Sequence, residues 1–138
     1  MAANTKFTVA VHTAAVLACH ASEFVTSEYI ACSVNTNPVV VRRVLCALAK
    51  AEIVECQKGK AGGARLKLKA SKVRLFDIFN AVECDALFAI PNKPRNKKCP
   101  VSCCMQSAMQ AVFTKVDTAV KQSLAQITLA DIVTPITK

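Results

Sequence analysis

NTNPVVVRRVLCALAKAEIVECQKGKAGGARLKLK, residues 35–69, spells a helix followed at once by a basic, glycine-rich β-hairpin. A residue before proline is pushed out of the helical region, and proline suits the first helical position, so Asn37-Pro38 marks a helix start with Asn37 as N-cap. Val41, Val44, Leu45 and Leu48 then recur at helical spacing, while Val39, Arg43, Cys46 and Lys50 fall on the opposite side with Arg42 flanking. One face belongs to a core and the other is free to meet a partner. Ile53 to Cys56 reads as a short β run and Gln57 to Gly63 as a turn. Ala64 to Lys69 reads as a strand with Leu66 and Leu68 inward and Arg65, Lys67 and Lys69 outward.

Upstream, Thr26-Ser27-Glu28 makes a helix start, Ile30 and Val34 share a face, and Ser33 to Asn37 is short and polar enough for a tight turn. The order is therefore helix, turn, helix, wing. In its DNA-binding form this motif lays the second helix in the major groove. Charge agrees with that use: of a formal +9, residues 35–74 carry ten Lys and Arg against Glu52 and Glu55. Lys93, Arg95, Lys97 and Lys98 form a second cluster. A concentrated positive field binds phosphate and makes binding salt-dependent, although a solvated basic surface has the same composition.

Several motifs in order give a family resemblance. KFTVAVH near the start, SEYIA, NPVVVRRVL, IVEC, the wing KGKAGG, LFDIFNAVE, CPV before a long helix and the closing ITLADIV together resemble the Rrf2 family of bacterial transcription regulators. The likeness runs from about Lys6 to Val133. It implies a homodimeric winged-helix repressor or activator in which a long C-terminal helix pairs the subunits. Carried over position by position, the DNA-facing residues are Thr36, Asn37, Val39, Arg42 and Arg43 on the helix and Lys58, Lys60, Gly62 and Gly63 in the wing. Lys58 replaces the usual wing arginine, keeping a phosphate contact but losing the planar fork. Glu52 stands where a glycine commonly ends the reading helix. Arg42 and Arg43 alone of these have the fork for bidentate guanine contacts.

With 138 residues and 53% hydrophobic content the chain can bury one core. Lys6 to Ala21 has the charge, apolar run and small-residue end of a signal peptide, but His12 and Thr13 interrupt it. It is also too short to span a bilayer, so it reads as a first helix packed behind the reading helix. His12 and His20 read as helix-surface or core-edge residues. The eight cysteines are scattered through helical patterns rather than spaced as a disulfide scaffold, which points to a reducing cytoplasm. After the wing, Leu75, Ile78, Phe79 and Val82 share a helical face, and Ile127 to Ile132 echoes Val73 to Ile78. Residues 1–88 thus form a winged helix-turn-helix region, 89–100 a basic loop, and 101–138 a dimerisation helix with a closing helix. The fold class expected is mainly α with a small β-hairpin.

Val101 to about Gln126 is the longest helical pattern. Met105, Met109, Val112, Val116, Ala119 and Leu124 or Ser123 step by three and four, which suits a helix packed lengthwise on another or on the chain's own core. The resemblance favours dimerisation, and a symmetric dimer reads two half-sites of an inverted repeat in double-stranded DNA.

Chemistry gathers at Cys99, Cys103 and Cys104. Pro100 puts Cys99 at a helix N-cap beside Lys97 and Lys98, a setting that favours the reactive thiolate, and Cys103 one turn on is placed to resolve an oxidised Cys99. Cys19, Cys32, Cys46, Cys56 and Cys84 read as packing residues, with Cys46 on the outer face of the reading helix worth testing. Some members of the family hold an iron–sulfur cluster through three cysteines spread over this loop. Here only Cys99 stands in the loop and Cys103 and Cys104 follow on the helix, where neighbours diverge by about 100°, so three thiolates converge on an iron–sulfur cluster only if the helix start unwinds, and no cofactor is expected. The reading is a dimeric sequence-specific DNA-binding regulator, a repressor, with a thiol input that senses redox or nitrosative signals. The alternative is a winged-helix protein–protein module whose basic face meets an acidic partner. No Ser/His/Asp order, phosphate-binding glycine loop or paired-carboxylate pattern supports an enzyme.

Overall fold

The computed structural model describes residues 5–82 and 87–137. Helices α1 (Lys6–Cys19), α2 (Ser27–Val34) and α3 (Pro38–Lys50) precede strands β1 (Val54–Gln57) and β2 (Gly63–Leu66). A 3-10 turn (Ala70–Lys72) leads to α4 (Leu75–Val82), α5 (Pro100–Ala125) and α6 (Leu129–Thr137). The mainly helical architecture with a two-stranded antiparallel hairpin matches the expected class.

Local chemistry sets each boundary. Thr26 caps α2 by accepting from the Tyr29 amide at 3.2 Å, and Asn35 ends the helix in the left-handed region at φ 64°. Asn37 then caps α3, its Oδ1 accepting from the Val39 amide at 2.9 Å with Pro38 in the first turn. At the other end of α3 the Ile53 amide donates to Leu48 and the Glu52 amide to Ala49, a Schellman closure in which Glu52 takes the left-handed position at φ 64°. That position normally favours glycine because a Cβ is crowded there. Glu52 is nevertheless held, its carboxylate paired with Lys67 across the start of the hairpin.

Val41, Val44, Leu45 and Leu48 are all buried, as the helical spacing requires. They join one apolar cluster with Ala10, Ala14 and Leu17 of α1, Ile30 of α2, Val54 and Ala64 of the hairpin, Ile78 and Val82 of α4, and Leu129 and Val133 of α6. Thr13, buried in α1, satisfies its hydroxyl by donating to the Val9 carbonyl at 2.8 Å. Since Leu48 is fully enclosed, Leu48→Ala is expected to cost about 2–5 kcal/mol of stability, read by chemical denaturation, through lost burial plus the cavity left behind.

The hairpin pairs Val54 with Leu66 and Cys56 with Ala64. It also has a third participant: Val25 and Ala64 exchange both backbone hydrogen bonds at 2.8 Å, which fastens the wing to the segment before α2. The second strand is shorter than the alternation predicts. It ends at Leu66, and Leu68, expected to point inward, is 45% exposed because the chain has already turned toward the 3-10 segment.

The two similar motifs meet in space. Leu75 donates to Ile127 at 2.9 Å and Leu129 to Val73 at 2.7 Å, so the starts of α4 and α6 form a small antiparallel bridge. Each start is capped alike, with Asp77 accepting from the Arg74 amide and Asp131 from the Thr128 amide. Leu75, Ile78, Phe79 and Val82 face the core as expected, whereas Glu83 and Cys84 lie outside the described residues.

Helix α5 is different from the rest. Its 26 residues include no buried one, although it packs against α4 and its Leu124 touches the core cluster. Phe113 stacks on Phe88 of the preceding loop with ring centroids 5.4 Å apart. No helix among the described residues is long and apolar enough to cross a membrane.

Candidate nucleic-acid interface

Helix α3 and the wing enclose a groove of about 520 Å³, lined on the helix side by Arg42, Cys46 and Ala49 and on the wing side by Cys56, Lys58, Gly59 and Gly62. Arg42, Cys46 and Ala49 are spaced by four and three and so stand on one helical face. Glu28 of α2 also lines the groove.

The ion pairs divide the basic residues into two populations. Arg42 donates to Glu28 at 2.6 Å. Arg65 pairs with Glu55 and lies over the Phe24 ring, 4.4 Å from its centroid. Lys67 pairs with Glu52, and Arg74 with Asp77. Arg43, Lys58 and Lys60 are exposed and make no ion pair with a described residue. The outward charge of the α3–wing corner therefore rests on these three and on Lys50, exposed on α3 and in no ion pair with a described residue, with Arg42 available once its carboxylate partner is displaced. A backbone hydrogen bond at the start of α2, and then Arg42, hold the Glu28 carboxyl below the usual carboxylate range. Lys67 does the same for Glu52.

The other sequence-predicted positions have more specific placements. Val39 is 45% exposed at the leading turn of α3 and offers an apolar surface of the kind that meets a thymine methyl. Thr36 is half-buried in the turn, and Asn37 is exposed with its carbonyl oxygen engaged as the cap. Gly62 and Gly63 are needed first for steric reasons: a Cβ on Gly62 would lie 2.3 Å from the Gln57 carbonyl oxygen, and one on Gly63 2.4 Å from that of Val25. Two residues escaped the sequence reading. Glu28, taken only as a helix start, is the partner of Arg42, and the neighbouring Val40 is also exposed on α3.

Cys99 is the N-cap of α5 and is half-buried, but its side chain makes no capping bond. Cys103 turns back beneath the helix start, with Sγ 3.7 Å from the carbonyls of Asn96 and Lys97, while Cys104 is exposed. The dimer candidates Met105 and Val112 are 47% and 46% exposed, Met109 and Val116 are half-buried, and Leu124 contributes to the subunit's own core.

Comparison with known proteins agrees with this geometry. The model of the family described as "Rrf2: Iron-dependent Transcriptional regulator" matches residues 3–135. The Bacillus subtilis HTH-type transcriptional regulator YwnA is 38% identical over 130 residues, covering 94% of this chain and 95% of its own. A crystal structure of a Lactobacillus plantarum transcriptional regulator superposes with a TM-score of 0.83 at 26% identity, over 96% of this chain and 90% of that one. CymR (YrzC), the global cysteine regulator of B. subtilis, shares the fold with a TM-score of 0.69 at 20% identity, over 97% of each chain.

The iron in the family description finds no matching donor set here. Among the described residues no three of His, Cys, Asp and Glu gather as metal ligands. Cys103 and Cys104 are adjacent in α5 and diverge around its axis, and Cys99 sits before the first turn. The cysteines at the start of α5, as placed, do not fit an iron or iron–sulfur centre.

Proposed function

The chain belongs to the Rrf2 family of DNA-binding transcriptional regulators, and on that footing we propose that it acts in the cytoplasm as a homodimeric repressor of genes whose operator is an inverted repeat. The observation that carries the reading is the exposed cationic set at the α3–wing corner: Arg43 on the helix, and Lys58 and Lys60 at the wing tip. A helix in the major groove presents the arginine to base edges, and the two lysines lie beside the phosphates flanking it. Val39 supplies an apolar contact at the helix start, while Arg42 exchanges Glu28 for a phosphate or a guanine.

Dimerisation supports this reading physically. A helix about 39 Å long that exposes Val101, Met105 and Val112 is stable in water chiefly when another surface covers it. A second copy of α5 does so symmetrically and sets two reading heads on one face of the duplex. The proposed input is thiol chemistry at Cys99, with Cys103 and Cys104 nearby. All seven described cysteines are free. Cys99 is expected to react faster with a thiol probe at mildly acidic pH than the other cysteines, and equal rates across the chain count against it as the sensor.

The reading is tested by titrating the protein against inverted-repeat and scrambled duplexes over a range of salt. Arg43→Ala is expected to cost about 1–3 kcal/mol of specific binding and to relax base preference at one position in each half-site. Lys58→Ala is expected to weaken all duplexes alike and to reduce the salt slope by about 1 for each head. Unchanged affinity in both variants overturns this docking. Binding that ignores salt and duplex sequence instead favours an acidic protein as the partner of the basic face.

A further inference from the structure

Cys46 and Cys56 lie on opposite walls of one groove. Cys46 stands on α3 in the row with Arg42 and Ala49, and all three line the groove between helix and wing. Cys56 stands two residues beyond Val54 on β1, so both project to the same side of the strand. Val54 is buried against the helical layer, which aims Cys56 toward α3 as well, but just past the edge of the core. Both sulfurs belong to solvent-exposed free cysteines, and α3 packs directly on β1. Burial pushes the Cys56 thiol up, and the neighbouring Cys46 adds to the rise.

We propose that Cys46 and Cys56 are a dithiol switch, closed to a disulfide by small-molecule disulfides, that ties the reading helix to the wing and releases the protein from DNA. The chemistry is two exchanges. The Cys46 thiolate attacks one sulfur of the small disulfide, expels one small thiolate and becomes a mixed disulfide. Cys56 then loses its proton, attacks the Cys46 sulfur and expels the second small thiolate. Two protein thiols lose two electrons and two protons, and the oxidant leaves as two small thiols. Burial, which pushes the Cys56 thiol up, makes it the poorer first nucleophile, so Cys46 takes the first step and Cys56 attacks only once the mixed disulfide is held beside it.

The consequence for function follows from position. A disulfide brings its two Cβ atoms to roughly 4 Å, so closing it draws the wing strand onto α3. Lys58 is two residues beyond Cys56, and Arg42 and Arg43 lie one turn before Cys46. The bond therefore changes the spacing between the helix contacts and the wing-tip contacts, which must engage the same duplex together. This differs in place from an input at Cys99, and it rests on DNA reading by the α3–wing corner only for its second half.

The test exposes the full-length protein to glutathione disulfide, blocks remaining thiols and digests with trypsin without reduction. Cleavage after Arg43, Lys50 and Lys58 places Cys46 in the peptide 44–50 and Cys56 in 51–58. The expected product is those two peptides joined by one disulfide, with no glutathione retained on either. Operator affinity is expected to fall by at least about tenfold, to recover with dithiothreitol, and to stay constant in C46S and C56S. The C99S/C103S/C104S variant is expected to keep the full response. Absence of the joined peptide, or stable glutathione adducts in its place, overturns the bond. A joined peptide with unchanged affinity overturns the release, and a response that survives C46S but disappears in C99S/C103S/C104S moves the switch to α5. The peptide link is measured without DNA, so a protein that fails to bind any duplex is recognised separately from one that fails to form the bond.

Discussion

Gly63→Val is expected to unseat the wing, lowering the thermal midpoint by several degrees and removing operator binding, whereas Gly59→Ala leaves most of both. Gly63 has φ +149°, and a Cβ there would lie 2.4 Å from the oxygen, 2.6 Å from the carbon and 2.9 Å from the nitrogen of Val25. All three are backbone atoms, and the neighbouring Ala64 is hydrogen-bonded to Val25 in both directions. The obstruction therefore cannot be relieved by rotating a side chain. The wing must leave Val25 or the segment before α2 must move, and overpacking of this kind costs about 1–3 kcal/mol even before the strain of the backbone angle. At Gly59 the backbone angle is also unfavourable for an L residue, φ +101°, but nothing lies within 4 Å. The pair separates steric anchoring from conformational freedom, with melting by circular dichroism and duplex titration as readouts. Loss of binding in Gly63→Val without any thermal shift would show instead that this glycine acts through direct approach to the phosphates.

This anchoring explains where sequence and structure part company. The reading helix was legible because its signals are local: Asn37-Pro38 at the start, four apolar residues at a period of 3.6, and a turn rich in glycine after it. The core positions of α4 were legible for the same reason, and so was the kinship of the α4 and α6 starts, although not that they pair. What pattern could not supply depends on contacts distant along the chain. Val25 is one apolar residue between Phe24 and Thr26, and nothing in its neighbours marks it as the partner of Ala64. Arg65 and Arg43 look equivalent as charges. One is consumed by Glu55 and the Phe24 ring, and the other is left outward. Alternation likewise placed Leu68 inside, but the pairing ends before it, the last cross-hairpin bond running from the Lys67 amide to the Ile53 carbonyl at 2.9 Å. Glu52 is the opposite case: the sequence marked it as unusual, and the structure shows the left-handed residue closing α3, a position where its carboxylate also reaches Lys67.

The double substitution Met109→Glu, Val112→Glu is expected to yield a folded monomer whose affinity for an inverted-repeat duplex falls by about 10²–10⁴. Val112 is 46% exposed and no residue of α5 is buried within the subunit, so neither carboxylate intrudes on the subunit's own core. Melting of the variant should therefore lose only the contribution of association. Within a pair of α5 helices the same positions become interior. Each methionine or valine side chain then covered is worth roughly 1.5–3 kcal/mol, and four glutamates brought together in the symmetric contact oppose association further. Because the reading heads are untouched, affinity for a single half-site should be unchanged; what disappears is the second head held at high effective concentration over the adjacent half-site. Lys115→Glu, a charge change of the same sign elsewhere on α5, controls for the loss of positive field. Sedimentation velocity together with titration on full and half operators checks all three quantities. A variant that stays dimeric would place the subunit contact elsewhere than the Met109–Val112 face, and a monomer that still binds the full repeat as tightly as before would mean that one head supplies the recognition alone.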